Sequence, residues 1–325
     1  MAPPPNPVTE EATPEELNAI QVVRYRQDVD PPAAVRAVVV AVPGFLSGAT
    51  GWDGIARHLV KRGASSGAGI EVWAIDRRSN LLEDLRGMDA AEALEDAAPA
   101  LGYYFGEDTV GGEAFAGYIS QEELGFMSEW GLAMLAVDVR SVVHLVPEEM
   151  RRDHVFMMGH SLGAAFTEAY GSWRFDDGVR GVEELAGLVL IDGALAAEAI
   201  SEEEFLTGSG SGLMARPGLD TIRGGQPYTE LPFLGVDIFA RAEVLALQTL
   251  FAPEAVEGSP ERDQSLGILL ELPEDGIPDL TNRAALGWAF DTQSQPLAFA
   301  AVSLGSPTGG SIETYTSIVF GATLT

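Results

Sequence analysis

The residues best suited to chemistry lie in residues 155–166, VFMMGHSLGAAF, where an apolar run enters a turn that holds Ser161 between two glycines. A serine hydroxyl becomes a nucleophile when a base takes its proton and the backbone presents it to a substrate. The G-x-S-x-G pattern is weak alone, because the chain has 37 glycines and repeats it in residues 63–67, GASSG. Context separates the two matches. Gly63 closes a predicted helix and precedes a polar loop, whereas Ser161 stands between a predicted strand and a predicted helix.

A nucleophile on such a turn needs strained backbone angles and small neighbours, which let the strand and the helix approach closely. Gly159 and Gly163 meet that need. The N-terminus of the following helix also places partial positive charge beside a developing oxyanion. The competing interpretation is a helix N-cap serine on a glycine turn.

The surrounding pattern predicts elements that alternate along the chain. Apolar runs predict strands, and apolar residues at helical spacing predict helices. The predicted strands are 19–29, 35–42, 70–75, 155–158 and 185–191, and the predicted helices are 52–62, 125–146 and 161–173. Strands separated by helices indicate an α/β fold with a mostly parallel, doubly wound sheet that is covered on both faces. Residues 79–124, which are acidic and interrupted by glycines, are expected to form an excursion at the sheet edge.

Two segments together resemble the α/β-hydrolase superfamily, and within it serine esterases and lipases. One is GHSLG, residues 159–163, and the other is VAVPGFLSGATGWDGIARHL, residues 40–59. The resemblance implies a nucleophile at Ser161, and an oxyanion hole made by the backbone amides of Leu162 and of Phe45, or less favourably Leu46. The family usually has His-Gly where this chain has Pro43 and Gly44, a departure that leaves the backbone donor intact.

The resemblance also implies the chain order serine, acid, histidine. All four histidines, His58, His144, His154 and His160, come before or within the turn, so none is expected to be the base. Asp192 ends the strand after the turn and is the candidate acid, although a structural aspartate fits the same position. Glu313 is a weaker candidate.

The sequence predicts three regions. Residues 1–18 are a Pro-rich, disordered leader, residues 19–195 the N-terminal part of the hydrolase core, and residues 196–325 a largely helical cap or insertion. A helix is expected near 281–290 and a strand near 297–304. Five apolar cap residues could line a substrate pocket or form ordinary cap core: Phe233, Leu234, Phe239, Leu245 and Phe251. Because the family's last strand and histidine loop are missing before Thr325, the resemblance predicts that the sequence is truncated at its C-terminus.

Composition excludes several classes of function. The formal charge of -30, from 49 acidic and 19 basic residues, opposes binding to nucleic acid and to anionic membranes. The acidity, with Lys61 the single lysine, fits either a high-salt habitat or a GC-rich genome. Without cysteine, and with four scattered histidines, the sequence predicts no metal site and no cofactor. It contains no signal peptide and no apolar run long enough for a membrane span.

The sequence therefore predicts a serine hydrolase that cleaves carboxylic esters of small or hydrophobic substrates through an acyl-enzyme on Ser161. Three alternatives remain. One is a catalytically inactive binding protein of the same fold, which the missing base favours. The others are a thioesterase or amidase and a haloperoxidase-like relative. Epoxide and haloalkane hydrolases are disfavoured, because their nucleophile is an aspartate.

Overall fold

The computed structural model describes residues 2–28, 34–45, 47–195, 200–210, 216–228, 237–256, 280–290, 315–316 and 323–324. The chain divides into two compact units. Unit 1 comprises Met1–Glu83 and Ser120–Thr229, and unit 2 comprises Asp84–Ile119 and Glu230–Thr325. Most of the acidic excursion, Asp84–Ile119, thus belongs to the same unit as the C-terminal region.

The helices and strands follow one another in the order that the sequence pattern suggests, with additional short elements. The α-helices are α1 (Asp53–Ser65), α2 (Arg86–Leu94), α3 (Ala98–Phe105), α4 (Leu132–Val143), α5 (Glu148–His154), α6 (Leu162–Ser172), α7 (Glu202–Thr207), α8 (Leu219–Arg223), α9 (Ile238–Phe251) and α10 (Asn282–Phe290). The strands are β1 (Gln21–Tyr25), β2 (Val35–Val42), β3 (Gly69–Asp76), β4 (Thr109–Val110), β5 (Glu113–Ala114), β6 (Val155–His160), β7 (Gly187–Ile191), β8 (Gly208–Ser209), β9 (Arg216–Pro217), β10 (Tyr315–Thr316) and β11 (Thr323–Leu324).

Unit 1 is built on a five-stranded sheet in the order β1-β3-β2-β6-β7. The pairs β3–β2, β2–β6 and β6–β7 are parallel, and only β1 is antiparallel to its neighbour β3. Long connections that carry α1, α4 and α6 join the parallel strands, as parallel pairing requires. The predicted α/β class with a mostly parallel sheet is therefore confirmed.

Strand β2 shows why the sheet is covered on both faces. Its alternate residues Val38, Val40 and Val42 enter a core cluster with Val139 and Val142 of α4 and Tyr170 of α6. The residue between the last two, Ala41, enters a second cluster with Trp52 and with Ala56 of α1. Successive side chains of a strand point to opposite faces. A continuous run of valine and alanine thus supplies both cores, as the run VRAVVVAV predicts.

The predicted helix 125–146 is shorter than expected. Residues Gly125–Glu129 form a 3-10 helix, and α4 begins at Leu132 after Gly131, whose backbone is extended (φ -81, ψ -166). The apolar period continues through Gly131, so periodicity alone did not reveal the break. The helix α5, which the sequence did not predict, follows α4 and leads into β6.

The N-terminal segment makes contacts that its composition did not predict. The side chain of Asn6 is 1% exposed. Its amide nitrogen donates to the carbonyl oxygens of Gly125 (2.8 Å) and Arg223 (3.1 Å), and its amide oxygen accepts from the backbone nitrogens of Val8 and Thr9. One buried and fully satisfied amide thus joins the segment to unit 1, in contrast to the solvated leader that prolines and acidic residues indicate.

Unit 2 has a core of its own, in which α2 and α3 of the predicted excursion pack with α9. Its buried residues are Met88, Ala91, Ala97, Ala100, Val244 and Leu247. Arg241 of α9 lies over the ring of Phe105 at 4.5 Å, a distance typical of a cation–π interaction. Every helix in the described part of the chain is too short or too polar to cross a lipid bilayer.

Candidate active site

The candidate site lies in unit 1, at the carboxyl ends of the adjacent strands β2 and β6. The chain leaves β2 through α1 toward β3 on one side, and leaves β6 through α6 toward β7 on the other side. Ligands of open α/β sheets bind where the connections diverge in this way, outside the carboxyl ends of the strands. Val42 pairs with Gly159 in the last register position, so residues 43–45 and Ser161 lie side by side at the point of divergence.

Ser161 adopts a backbone conformation that is unusual for a residue with a side chain. Its φ of 53° and ψ of -122° place it in the left-handed half of backbone space, and its side chain makes no capping hydrogen bond. A helix N-cap serine has an extended backbone and accepts a bond from the second or third helical amide. The N-cap interpretation is therefore contradicted. A strained, exposed serine between a strand and a helix is the geometry of a nucleophile elbow.

Two glycines make this turn sterically possible. A methyl group on Gly159 would lie 2.6 Å from the backbone nitrogen of Ala164 and would clash with the carbonyl of Gly163. A methyl group on Gly163 would lie 2.7 Å from the carbonyl oxygen of Pro43 and would clash with that of Val42. Neither position has space for a β-carbon. Small residues are needed here, as the sequence predicted, because β6, α6 and the loop after β2 are in direct backbone contact.

The loop after β2 borders the serine. A β-carbon at Gly44 would lie 3.5 Å from Cβ of Ser161, and 3.4 Å from the carbonyl oxygen of His160. The next residue, Phe45, is 52% exposed. Leu46 lies outside the described residues. The structure therefore brings the loop that carries the predicted oxyanion donor next to the predicted nucleophile.

The second predicted donor is the amide of Leu162, the first residue of α6. Amides in the first turn of a helix have no acceptor within the helix, so this N–H is available to a ligand. The eleven residues of α6 also direct the positive end of the helix dipole toward the turn. The carbonyl oxygen of Ser161 accepts a hydrogen bond from the backbone nitrogen of Ala164 (3.0 Å).

Asp192 begins the loop that follows β7, beside the elbow. The backbone nitrogen of Ser161 donates to the carbonyl oxygen of Ile191 at 3.0 Å. Gly193 packs so closely that a methyl group there would lie 2.8 Å from the carbonyl carbon of Ser161. Asp192 itself has a φ of 46°. Its carboxylate is exposed, and in the described ranges no hydrogen bond holds it. Its role as the acid stays a prediction, and Glu313 lies outside the described residues.

Two of the four histidines lie near the amino-terminal ends of β6 and β7, whereas Ser161 follows the carboxyl end of β6. His154 precedes β6 and contacts the carbonyl oxygen of Arg36 at 2.8 Å, about 20 Å from the elbow at the rise of a strand. His144 contacts Glu184 at 2.8 Å, just before β7 begins. Burial raises the pKa of Glu184, but hydrogen bonds from Arg140 and His144 outweigh it and lower the pKa overall. Both histidines thus have structural partners.

The other two histidines lie on α1 and at the end of β6. His58 is exposed in the middle of α1. His160 is the residue before Ser161, and a β-carbon at Gly44 would lie 3.5 Å from its Nδ1 atom. That none of the four histidines is the base stays a prediction.

A residue that sequence analysis missed is Arg77, directly after β3. Its Nη2 atom donates to the carbonyl oxygens of Gly44 (2.8 Å), Phe45 (2.8 Å) and Ser47 (3.0 Å). Burial lowers the pKa of its guanidinium, and the nearby Asp76 partly opposes that shift. The only signal in the sequence was the position of Asp76-Arg77-Arg78 at the end of a predicted strand, which says nothing about the partners.

The predicted cap residues differ in their burial. Leu245 is buried in unit 2, Phe251 packs against the core cluster there, and Phe239 is 46% exposed. Phe233 and Leu234 lie outside the described residues. Within the part of the chain that the structure describes, no three His, Asp or Glu side chains are arranged to hold a metal ion.

The solved structures that are similar to the chain include a lipase and a thioesterase domain. A putative lipase from Sulfolobus solfataricus is 14% identical, with a TM-score of 0.38, over 74% of this chain and 60% of the lipase. A thioesterase domain from the curacin biosynthetic pathway is also 14% identical, with a TM-score of 0.37, over 78% of this chain and 76% of that domain. The chain thus covers less than two thirds of the lipase. No family model and no curated protein sequence matches it.

The parallel crossovers, the strained serine between β6 and α6, and the loop of Gly44 beside it are independent features of the structure. Together they are the features that define the sheet and the nucleophile elbow of this fold class. The resemblance of the sequence to the α/β-hydrolase superfamily is therefore confirmed at the level of the fold.

Proposed function

We propose that the protein is a serine hydrolase that cleaves carboxylic esters of small or hydrophobic substrates through an acyl-enzyme on Ser161. The observation that carries the proposal is the backbone of Ser161, with a φ of 53° and no capping bond. Strain of this kind costs of order 1–3 kcal/mol and persists where the surrounding structure enforces it. Here the contacts of Gly159 and Gly163 enforce it.

The chemistry follows from the positions of three groups. The Oγ atom of Ser161 attacks the ester carbonyl carbon while a base removes its proton, and the carbonyl oxygen becomes an oxyanion. The amides of Phe45 and Leu162 donate hydrogen bonds to that oxygen. Collapse of the intermediate breaks the bond to the alcohol, which leaves with the proton. Water then attacks the acyl-enzyme and releases the acid.

The base has no assignment among the described residues, where His144 and His154 have structural partners away from Ser161. This observation favours a second candidate function, a catalytically inactive protein that binds ligands in the same cleft. If the protein is the hydrolase, Asp192, next to the elbow, is the proposed acid. A thioesterase, an amidase or a haloperoxidase-like enzyme would use the same serine, and a panel of esters, thioesters and amides separates them.

A fluorophosphonate probe, which labels activated serines, distinguishes the two candidates. The chain supplies a matched control, because Ser65 is the serine of the second G-x-S-x-G pattern and its hydroxyl donates to the carbonyl oxygen of Lys61 at 2.9 Å. We expect wild type and Ser65→Ala to be labelled at equal rates, and Ser161→Ala to be unlabelled. Peptide mass spectrometry should locate the adduct on Ser161.

The same samples are tested for hydrolysis of p-nitrophenyl acetate and p-nitrophenyl butyrate. Loss of turnover in Ser161→Ala, with folding retained by circular dichroism, supports the hydrolase. If folded wild type is neither labelled nor active, the hydrolase proposal fails and the binding protein replaces it. If Ser161→Ala is still labelled, another serine is the nucleophile.

A further inference from the structure

The side chain of Arg77 gathers the backbone of the loop after β2. One guanidinium nitrogen, Nη2, lies 2.8 Å from the carbonyl oxygens of Gly44 and Phe45, and 3.0 Å from that of Ser47. Nη2 carries two hydrogens, so three acceptors share two donors. Three carbonyl oxygens that converge on one point repel each other, and a positive charge at that point offsets the repulsion. The loop therefore depends on the charge of Arg77 as well as on its hydrogen bonds.

This arrangement fixes the direction of the Phe45 amide. A peptide unit is planar and trans, so the N–H of Phe45 points opposite to the carbonyl of Gly44. Because Arg77 holds that carbonyl, the N–H is directed away from the guanidinium. The same peptide lies beside the nucleophile, since a β-carbon at Gly44 would lie 3.5 Å from Cβ of Ser161. An oxyanion hole needs a donor whose direction is fixed before the charge develops.

Keeping Arg77 in this place has a cost. Its Nε atom is buried and has no hydrogen-bond partner among the described residues. A buried N–H without an acceptor is destabilising. Burial lowers the pKa of Arg77 as well, in a direction that opposes the charged form. The bonds to the three carbonyls are the interaction that offsets these costs.

We propose that Arg77 is a positioning residue of the oxyanion hole, which holds the Gly44–Phe45 peptide so that the Phe45 amide can donate to the substrate oxyanion. This inference rests on the proposed function of Ser161. Arg77 does not touch the substrate. It acts by orienting the Gly44–Phe45 peptide, so its loss should reduce stabilisation of the transition state more than binding of the substrate.

The test compares Arg77→Lys and Arg77→Met with Arg57→Met, in which an exposed guanidinium paired with Asp53 on α1 is lost. Hydrolysis of p-nitrophenyl butyrate is measured for each variant under conditions where circular dichroism shows the variant to be folded. We expect kcat to fall about 100-fold in Arg77→Met, as for the loss of one oxyanion donor, while KM changes less than threefold. Arg57→Met should match wild type. Arg77→Lys, which keeps the charge on a shorter side chain, should fall between them.

Arg77→Lys also keeps the test valid if Arg77→Met does not fold. A residue that only stabilised the loop would lower the melting temperature and leave kcat of the folded protein unchanged, and that result overturns the inference. If wild type is active, Ser161→Ala is inactive and both Arg77 variants keep the wild-type kcat, this inference alone fails. If wild type shows no labelling and no turnover, the proposed function fails and the role of Arg77 fails with it.

Discussion

The two G-x-S-x-G segments of this chain share a sequence pattern and differ in where the unusual backbone lies. At residues 63–67 the serine, Ser65, ends α1, and the left-handed residue is Gly67 (φ 69°). At residues 159–163 the left-handed residue is Ser161 itself (φ 53°), and its glycines have no space for a β-carbon. In the first segment glycine relieves strain. In the second, glycines impose strain on the serine.

This difference explains why one serine is a candidate nucleophile and the other is not. The hydroxyl of Ser65 is occupied by the carbonyl oxygen of Lys61, as is common for serine near a helix end. The side chain of Ser161 makes no such local bond, and the loop of Gly44 lies beside it. A pattern match therefore acquires chemical meaning through the backbone conformation of its central residue. The variants below test whether that conformation is imposed as the contacts indicate.

The largest expected difference in stability between the two segments is at the second glycine of each pattern. Gly163→Ala should lower the free energy of unfolding by about 3 kcal/mol, because the methyl group meets the carbonyls of Val42 and Pro43 in a packed interior. Gly67→Ala meets no atom within 4 Å and should cost only about 1 kcal/mol, for its positive φ. Urea denaturation of both variants measures the difference. Equal losses would show that the elbow is not tightly packed.

A smaller effect is expected where the loop meets the serine. A methyl group at Gly44 would lie 3.4 Å or more from its neighbours, among them Cβ of Ser161. Gly44→Ala should therefore change the free energy of unfolding by less than about 1 kcal/mol. It should slow labelling of Ser161 by a fluorophosphonate roughly tenfold, because misplacement at a reacting centre is costly. An unchanged labelling rate would show that this face of Gly44 is not part of the cleft.

The sequence predicted the parts of the site that depend on local pattern. Ser161, Gly159 and Gly163 were found because an apolar strand, a turn and a helix follow each other within a dozen residues. The two-sided burial of β2 followed from an unbroken run of valine and alanine. The break at Gly131 was missed, since the apolar period of α4 continues across it.

The contacts that the sequence could not predict join residues far apart in the chain. Arg77 reaches the carbonyl of Gly44 across 33 positions, and Asn6 reaches that of Gly125 across 119. The acceptors are backbone carbonyls, which every residue has, so no residue type signals them. The same limit applies to the grouping of α2 and α3 with α9 in unit 2, which depends on packing between distant segments.

The smallest effect gives the sharpest comparison, because its sign should reverse between the two serines. Ser161→Gly removes a side chain from a left-handed residue, which relieves strain of order 1–3 kcal/mol, while a glycine raises the entropy of the unfolded chain by an amount worth roughly 1 kcal/mol. The net result should be a protein more stable by about 1 kcal/mol. Ser65→Gly places glycine in a helix and loses the bond to Lys61, so stability should fall by about 1 kcal/mol. Thermal unfolding of both variants measures the two signs. A loss of stability in Ser161→Gly would mean that the serine is not strained, and the main support for its role as nucleophile would be removed.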